Sequence, residues 1–244
     1  GSGRLLDTRR DVARCLLLLG KEVRAGITTQ ELDRIAEEYI RSQGGEPAFK
    51  GYRGYPASVC ASINGEVVRG IPSGKRVVKD GDVVSLDIGV KKAGFFGDAA
   101  RTFAVGEISG VAQRLLEATE RSLHAGIDQA RPGGRVSDIS AAIEREVKSS
   151  GFSVVRALVG HGVGRELHEE PQVPNYGRPG EGPRLRTGMV LAIEPMVNLG
   201  GADVVTLADQ WTVVSADKSL SAHFEHTVAI GEEGPVILST VEAD

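Results

Sequence analysis

The sequence has few cysteines, no long hydrophobic run and no excess of positive charge. Cys15 and Cys60 are its only cysteines, which implies no disulfide framework and favours a reducing cytosol. The longest aliphatic run in the first predicted helix, residues 16–19, is far shorter than the ~20 residues of a transmembrane helix. Because 33 acidic side chains outnumber 29 basic ones, no nucleic-acid-binding surface is predicted. We therefore expect a cytoplasmic protein that does not enter the membrane.

The composition is typical of a globular protein. Apolar residues make up 41% and charged residues 25% of the chain, which argues against extensive disorder and excludes a collagen-like repeat. A length of 244 residues suits one large domain or two small ones. Since no Pro/Ser-rich linker interrupts the chain, we expect a single α+β domain over residues 4–244. The first three residues, Gly-Ser-Gly, are expected to be an expression-tag remnant rather than a signal peptide.

Two parts of the chain recur at a spacing of 107 residues. Gly26 and Gly133 each precede a predicted helix, and the strand-like segment ending at Asp87 resembles the one ending at Glu194. Four helices are predicted, two in each half, over residues 7–24, 30–39, 111–130 and 137–147. We predict a duplicated helix–helix–strand unit, roughly residues 5–105 and 110–230, around a pseudo-twofold axis. The alternative is chance recurrence of a glycine followed by an apolar strand.

A predicted hairpin places two carboxylates together. Residues 83–90 and 95–105 have the pattern of two strands joined by a turn over residues 91–94. If the turn is centred between residues 92 and 93, Asp87 faces Asp98 directly across the strands. Like charges in facing positions are destabilising, and a divalent cation would relieve the repulsion. The alternative is that the two aspartates are unrelated surface residues.

Further acids and histidines recur in apolar or glycine-rich segments. Glu194 ends a predicted strand before a proline, and Glu225 lies in the predicted strand over residues 224–230. His161 and His168 lie in a glycine-rich segment, residues 160–171, which is predicted to be a loop whose backbone approaches another group closely. Four carboxylates balance two divalent ions, and oxygen-rich ligation with one imidazole suits Mn, Fe, Co or Zn. The residues thus indicate a dinuclear hydrolase.

Several longer motifs resemble the methionine aminopeptidase family, which has the pita-bread fold. The resemblance runs from about residue 5 to residue 237 and rests on the segments GYPASVCASINGEVVRGIP (residues 54–72), Asp87 with GD (97–98), HGVGRELHEEPQV (161–173), AIEPMVN (192–198) and SLSAHFEHT (219–227). It implies removal of N-terminal methionine from peptides and nascent polypeptides by a hydroxide activated by two metal ions. It also implies a monomer, with the ribosome as a further partner.

The resemblance assigns roles to individual residues. It implies five metal ligands: Asp87, Asp98, His161, Glu194 and Glu225. Of these, Asp98 and Glu225 would bridge both ions, and Glu194 would also relay protons to the leaving amine. His168 would contact the substrate carbonyl and the developing oxyanion. The methionine pocket would be lined by Tyr52, Tyr55, Cys60 and Trp211.

The chain departs from the family pattern at Arg69, where the family has a catalytic histidine. A permanent cation cannot serve as a general base, although it can donate hydrogen bonds or pair with an acidic substrate group. Phe49 and Leu167 also differ from the usual residues and are expected to reshape the pocket. Two alternatives stay open: an Xaa-Pro aminopeptidase of the same fold, and a non-catalytic relative that binds peptides or the ribosome.

Overall fold

The structure is a computed structural model that describes the backbone of residues 2–241 and the side chains of residue 8 and residues 10–241. The expected tag remnant therefore lies partly outside the described residues, at Gly1, as does the end of the expected domain, residues 242–244. No helix among the described residues combines the length and the apolar character needed to cross a bilayer.

Four α-helices lie within residues 2–241, at α1 (Ser2–Glu22), α2 (Thr29–Ser42), α3 (Gly110–Asp128) and α4 (Val136–Ser149). The strands of the first half are β1 (Glu46–Pro47), β2 (Val59–Ile63), β3 (Glu66–Val68), β4 (Val83–Lys92) and β5 (Phe95–Ala104). Those of the second half are β6 (Ser153–Val154), β7 (Gly160–Gly162), β8 (Glu169–Val173), β9 (Val190–Ile193), β10 (Met196–Asn198), β11 (Val204–Thr206), β12 (Val213–Ser215), β13 (Ser221–His223), β14 (His226–Ile230) and β15 (Pro235–Ile237). A short 3₁₀ helix covers Tyr52–Gly54.

Helices pack on antiparallel sheets in both halves, so the predicted α+β class is confirmed. In the first half, α1 and α2 share a buried apolar cluster with the sheet ordered β1-β4-β2, in which β5 pairs with the other edge of β4 along its length. In the second half, α3 and α4 pack against the five-stranded sheet ordered β15-β14-β9-β7-β8 and against β10 and β13. All four helix predictions were right in position, and α1 begins five residues earlier and ends two residues earlier than expected.

Equivalent glycines in the two halves have the same backbone conformation. Gly26 and Gly133 have φ of 91° and 87°, and Gly81 and Gly188 have φ of 87° and 92°. This left-handed region is strained for residues with a Cβ atom, so glycine is favoured at each turn. The shared conformation is the physical basis of the 107-residue recurrence.

The β4–β5 hairpin has a different register from the predicted one. Lys92 pairs with Phe95 around a two-residue turn, Ala93-Gly94, whose φ angles are 52° and 82°. The prediction that Asp87 faces Asp98 is therefore wrong: Asp87 pairs with Ala100, and Asp98 pairs with Gly89. The turn is centred one residue later than expected, which moves each cross-strand partner by two positions. Because two is the side-chain period of a strand, both aspartates stay on one face as diagonal neighbours.

The predicted loop around His161 is also wrong in part, because His161 lies on a strand. Strand β7 pairs with both β8 and β9 inside the five-stranded sheet. A Cβ atom at Gly160 would collide with the carbonyl oxygen of Ala192, and one at Gly162 with that of Glu170. The glycines thus permit close approach, as expected, but the group approached is the backbone of the neighbouring strands.

Candidate metal centre

The two halves of the chain meet along strands that carry the acidic residues. Glu225 directly precedes β14, and its backbone N–H donates to the carbonyl oxygen of Ala100 on β5 (2.9 Å). A second pair of residues also connects these strands. The Thr227 hydroxyl donates to the Asp98 carbonyl oxygen (2.7 Å), and the Asp98 N–H donates to that hydroxyl (3.2 Å). The hairpin carboxylates are thereby held beside those of the second half.

His161 links the carboxylates of both halves. Its Nε2 lies 3.2 Å from Oε1 of Glu194, which follows β9, and 3.6 Å from Oδ2 of Asp98. Its Nδ1–H donates to the carbonyl oxygen of Gly162 (2.8 Å). Because a carbonyl oxygen only accepts, Nδ1 carries a proton and Nε2 is the nitrogen that faces the carboxylates, which is the orientation of a metal-ligating imidazole. Burial alone would lower the pKa of His161, but the hydrogen bond to Glu194 raises it.

Several oxygens of the buried carboxylates have no hydrogen-bond partner. Asp98 and Glu225 are 4% and 2% exposed, and Oδ1 of Asp87, Oδ1 of Asp98 and both carboxylate oxygens of Glu225 have no hydrogen-bond partner. Burial and the neighbouring carboxylates raise the pKa of Asp98 and Glu225, and mainly burial raises that of Asp87 to about 6. Burial would also raise the pKa of Glu194, but the imidazoles of His161 and His223 lower it to about 2. Buried oxygens of this kind fit divalent cations well.

Two groups of three residues are compact enough to hold an ion. They are Asp98, His161 and Glu225, and Asp87, His223 and Glu225, and the ligand atoms within each group lie within 4.8 Å of one another. Glu225 belongs to both. Four of the five residues named as ligands from the sequence thus lie in these groups, and the fifth, Glu194, has Oε1 3.2 Å from Nε2 of His161. The structure adds His223, which the sequence interpretation missed although the residue lies two positions before Glu225, on the same face of an extended segment.

A cavity of about 550 Å³ opens beside these residues. It is lined by each of the eight residues predicted for the substrate pocket, namely Phe49, Tyr52, Tyr55, Cys60, Arg69, Leu167, His168 and Trp211. Its wall includes Asp87, Asp98, His161 and Glu194. The cavity therefore joins an apolar and aromatic wall directly to the charged cluster.

The walls of the cavity are held by specific contacts. The edge of the Trp211 ring packs on Tyr55, with ring centroids 5.2 Å apart at 75°. The Tyr55 hydroxyl donates to the carbonyl oxygens of Val59 (2.9 Å) and Gly70 (3.2 Å), which fixes the ring. Arg69 is exposed at the rim and has a left-handed backbone, with φ of 59°.

His168 lies between the cavity wall and the cluster. Its ring centroid is 4.2 Å from that of His161, and its Nδ1 is 2.9 Å from the Tyr52 hydroxyl oxygen. Partial desolvation of the ring at the cavity wall, together with the charge of the neighbouring His161, lowers the pKa of His168 to about 4, although the side chain is exposed at the cavity. The ring is therefore neutral at pH 7 and can donate one hydrogen bond into the cavity.

Comparison with known proteins agrees with this geometry. Residues 9–232 match metallopeptidase family M24. The chain is 54% identical over 242 residues to methionine aminopeptidase 1 of Bacillus subtilis, which covers 98% of this chain and 97% of that protein. The chain belongs to the methionine aminopeptidases of family M24. It is accordingly a metal-dependent aminopeptidase, and divalent metal is its cofactor.

Solved structures of similar proteins have the same fold. The crystal structure of methionine aminopeptidase from Thermotoga maritima superposes with a TM-score of 0.97 at 45% identity, covering 98% of this chain and 96% of that one. Prolidase from Pyrococcus furiosus superposes with a TM-score of 0.76 at 22% identity, covering 99% of this chain and 64% of that one, a likeness of fold alone. The expected pita-bread architecture, with its paired helix–helix–strand units, is confirmed.

Proposed function

We propose that the protein removes the N-terminal methionine from peptides and nascent polypeptides, using two divalent ions held by Asp87, Asp98, His161, Glu194 and Glu225. The observation that carries this proposal is the set of buried, unpartnered carboxylate oxygens beside an apolar cavity. Glu225, which belongs to both three-residue groups, would contribute to both ion positions, and Asp98 would contribute to the one it shares with His161. The identity of the ions among Mn, Fe, Co and Zn is left to experiment, because oxygen ligands with imidazole accept all four.

The cavity wall suits an unbranched apolar side chain. Tyr52, Tyr55, Phe49 and Trp211 provide aromatic surface, and the Cys60 thiol is buried, with a pKa raised by that burial. A neutral thiol and aromatic rings are favourable neighbours for a thioether. Leu167, only 1% exposed, fills space behind this wall. Together these residues would select methionine as the first residue of the substrate.

Two residues are assigned to the reaction itself. His168 would donate from its ring N–H to the substrate carbonyl oxygen and stabilise the negative charge that develops there. Glu194 would hold a proton taken from water and deliver it to the leaving amine. When bound, the metal ions supply Lewis-acid polarisation and the activation of water. Arg69 would form the rim of the cavity and contact the substrate beyond the first residue.

The test is hydrolysis of Met-Ala-Ser against peptides that begin with Leu or that carry proline in second position, with Mn, Co or Fe(II) added. Turnover confined to the methionine peptide is the expected result. Absence of turnover with every metal would favour a non-catalytic peptide-binding relative, and preference for proline peptides would favour an Xaa-Pro enzyme. Arg69, in place of the family's catalytic histidine, is the one feature that favours the non-catalytic alternative.

The remaining proposals concern where and how the protein works. We infer a monomer that acts in the cytoplasm on chains emerging from the ribosome. Both cysteines are free and buried, which is compatible with a reducing compartment. Light scattering coupled to gel filtration tests the monomer, and cosedimentation with ribosomes tests that association.

A further inference from the structure

His223 is a buried histidine beside the cluster of carboxylates. It ends β13, pairs with Met196 on β10, and is 1% exposed. The Thr102 hydroxyl of β5 forms two hydrogen bonds with its backbone: it accepts from the His223 N–H (2.8 Å) and donates to the His223 carbonyl oxygen (3.0 Å). The backbone of His223 is therefore held by a residue of the other half of the chain.

The Nε2 atom of His223 has no hydrogen-bond partner despite its burial. Oε2 of Glu194 lies 3.6 Å from this atom, which exceeds the usual hydrogen-bond length. The other carboxylate oxygen of Glu194 lies 3.2 Å from Nε2 of His161. Glu194 thus stands between two imidazoles, each aimed at the cluster of acids. Leaving a buried nitrogen unpaired is unfavourable, so an additional group belongs at this position.

A metal ion held by Asp87, His223 and Glu225 would be that partner. Its ligand atoms, from Asp87, His223 and Glu225, lie within the same 4.8 Å limit as those of Asp98, His161 and Glu225. Each group has one aspartate and one histidine of its own, and both share Glu225. We propose that His223 is a sixth metal ligand, through Nε2, at the Asp87 position of the two-ion centre. This inference rests on the proposed function, because it requires that two ions bind.

The ligand set has a consequence for metal preference. With His223, the Asp87 position offers an imidazole in addition to carboxylates, and imidazole favours Zn, Co or Fe over Mn, which prefers oxygen ligands. Without His223, the Asp87 position would consist of oxygen donors alone.

The experiment is a calorimetric titration of Co²⁺ into the metal-free protein and into two variants. His223→Gln keeps a hydrogen-bond donor of similar reach but removes the imidazole. His226→Gln is the matched control. His226 is a partly buried histidine of the same segment, but its Nδ1 forms a hydrogen bond with the Ser239 hydroxyl (2.8 Å). Circular dichroism establishes that all three proteins are folded.

We expect two binding steps in the wild-type protein and in His226→Gln. In His223→Gln, one step should keep its Kd within about threefold, whereas the Kd of the other should rise at least about tenfold, as expected for loss of a metal ligand or its support. The same variant should lose affinity for Co²⁺ more than for Mn²⁺. Equal titrations of the wild-type protein and His223→Gln would mean that His223 does not contribute to metal binding, and would overturn the inference.

A measurement on the unmutated protein decides the matter if His223→Gln fails to fold. In the Co²⁺-loaded protein, each imidazole that binds cobalt through Nε2 gives one strongly shifted, exchangeable Nδ1–H proton resonance. Two such resonances are expected at two equivalents of Co²⁺, and a single one would overturn the role of His223. A wild-type titration with only one step would instead contradict the two-ion centre, and with it both proposals.

Discussion

The Tyr52 hydroxyl oxygen lies 2.9 Å from Nδ1 of His168. The contact joins the 3₁₀ helix Tyr52–Gly54 to the segment that follows β7. When Tyr52 donates this hydrogen bond, the neutral ring must carry its proton on Nε2. The tyrosine would then keep His168 in the form that can donate to a substrate carbonyl.

Tyr52→Phe removes this hydrogen bond and keeps the ring. We expect kcat/KM for Met-Ala-Ser to fall about tenfold, because second partners of functional histidines commonly contribute at that level. Tyr176→Phe is the control, since Tyr176 is not among the residues that line the cavity and its ring packs on Arg156. Equal kinetics for Tyr52→Phe and the wild-type protein would show that Tyr52 does not orient His168.

Asp98→Asn should have opposite effects on the metal-free and metal-loaded protein. Burial and neighbouring carboxylates raise the pKa of Asp98 in the folded state. At pH 7 this aspartate therefore lowers the free energy of unfolding. Asparagine has no such effect, and we expect it to stabilise the metal-free protein by about 1–4 kcal/mol. The same change should abolish the gain in Tm on adding metal. Thermal melts with a chelator and with Mn²⁺ measure both, and Asp203→Asn, an exposed aspartate, is the control. A lower Tm in the presence of chelator would contradict the prediction.

Divalent metal should stabilise the wild-type protein. A ligand at 100 times its Kd contributes about 2.7 kcal/mol per site, and each kcal/mol raises Tm by roughly 2–4 °C for a chain of this size. We expect Mn²⁺ or Co²⁺ to raise Tm by roughly 5–20 °C after chelator treatment, and activity to return with it. Ca²⁺, which prefers six to eight oxygen ligands, should give a smaller shift. Equal Tm values with and without Mn²⁺ and Co²⁺ would contradict the proposal that these residues bind divalent metal.

Arg69→His tests the one marked departure from the family motif. Arg69 lies at the exposed rim of the cavity, and arginine cannot exchange a proton near neutral pH. We expect histidine at this position to raise kcat for Met-Ala-Ser, because it restores a group that can donate and accept. A fall in kcat would show that Arg69 has its own role, and an effect on KM alone would locate that role in substrate binding.

Glu37→Gln tests how α2 supports the cavity wall. Glu37 binds Lys50 (2.8 Å), Arg41 (2.9 Å) and the Ser58 hydroxyl (2.9 Å), at the start of the strand that carries Cys60. The hydrogen bond from Lys50 is the main cause that lowers its pKa to about 2, against the opposing effect of burial.

The lowered pKa sets the pH dependence of this contribution. Glu37 stabilises the fold above its unfolded pKa of 4.5, and the stabilisation is lost as the pH falls towards 2. We expect Glu37→Gln to cost about 1–2 kcal/mol of unfolding free energy at pH 7 and progressively less at pH 4 and pH 3, as measured by urea denaturation. Glu38→Gln, on the exposed side of the same helix, should change stability little at any of these pH values. A difference for Glu37→Gln that is independent of pH would contradict the electrostatic explanation.

Local features of this protein were determined by the sequence alone. Apolar residues at helical spacing, such as Leu32, Ala36 and Ile40, located α2, and the four turn glycines marked the duplicated halves because few other residues adopt their backbone conformation. The resemblance to the family named the five proposed ligands and the eight cavity residues, and the structure places all thirteen in or beside one site.

Tertiary structure alone decided the register of the hairpin, the strand that carries His161, and the position of His223. Register depends on which two residues adopt positive φ in the turn, and a shift of one residue in its centre moves every partner by two. The strand containing His161 forms only because β8 and β9 supply its hydrogen bonds. His223 reaches the acids because Thr102, 121 positions earlier in the chain, holds its backbone. Contacts between distant segments leave no local pattern, so their physical cause exists only once the two halves have packed together.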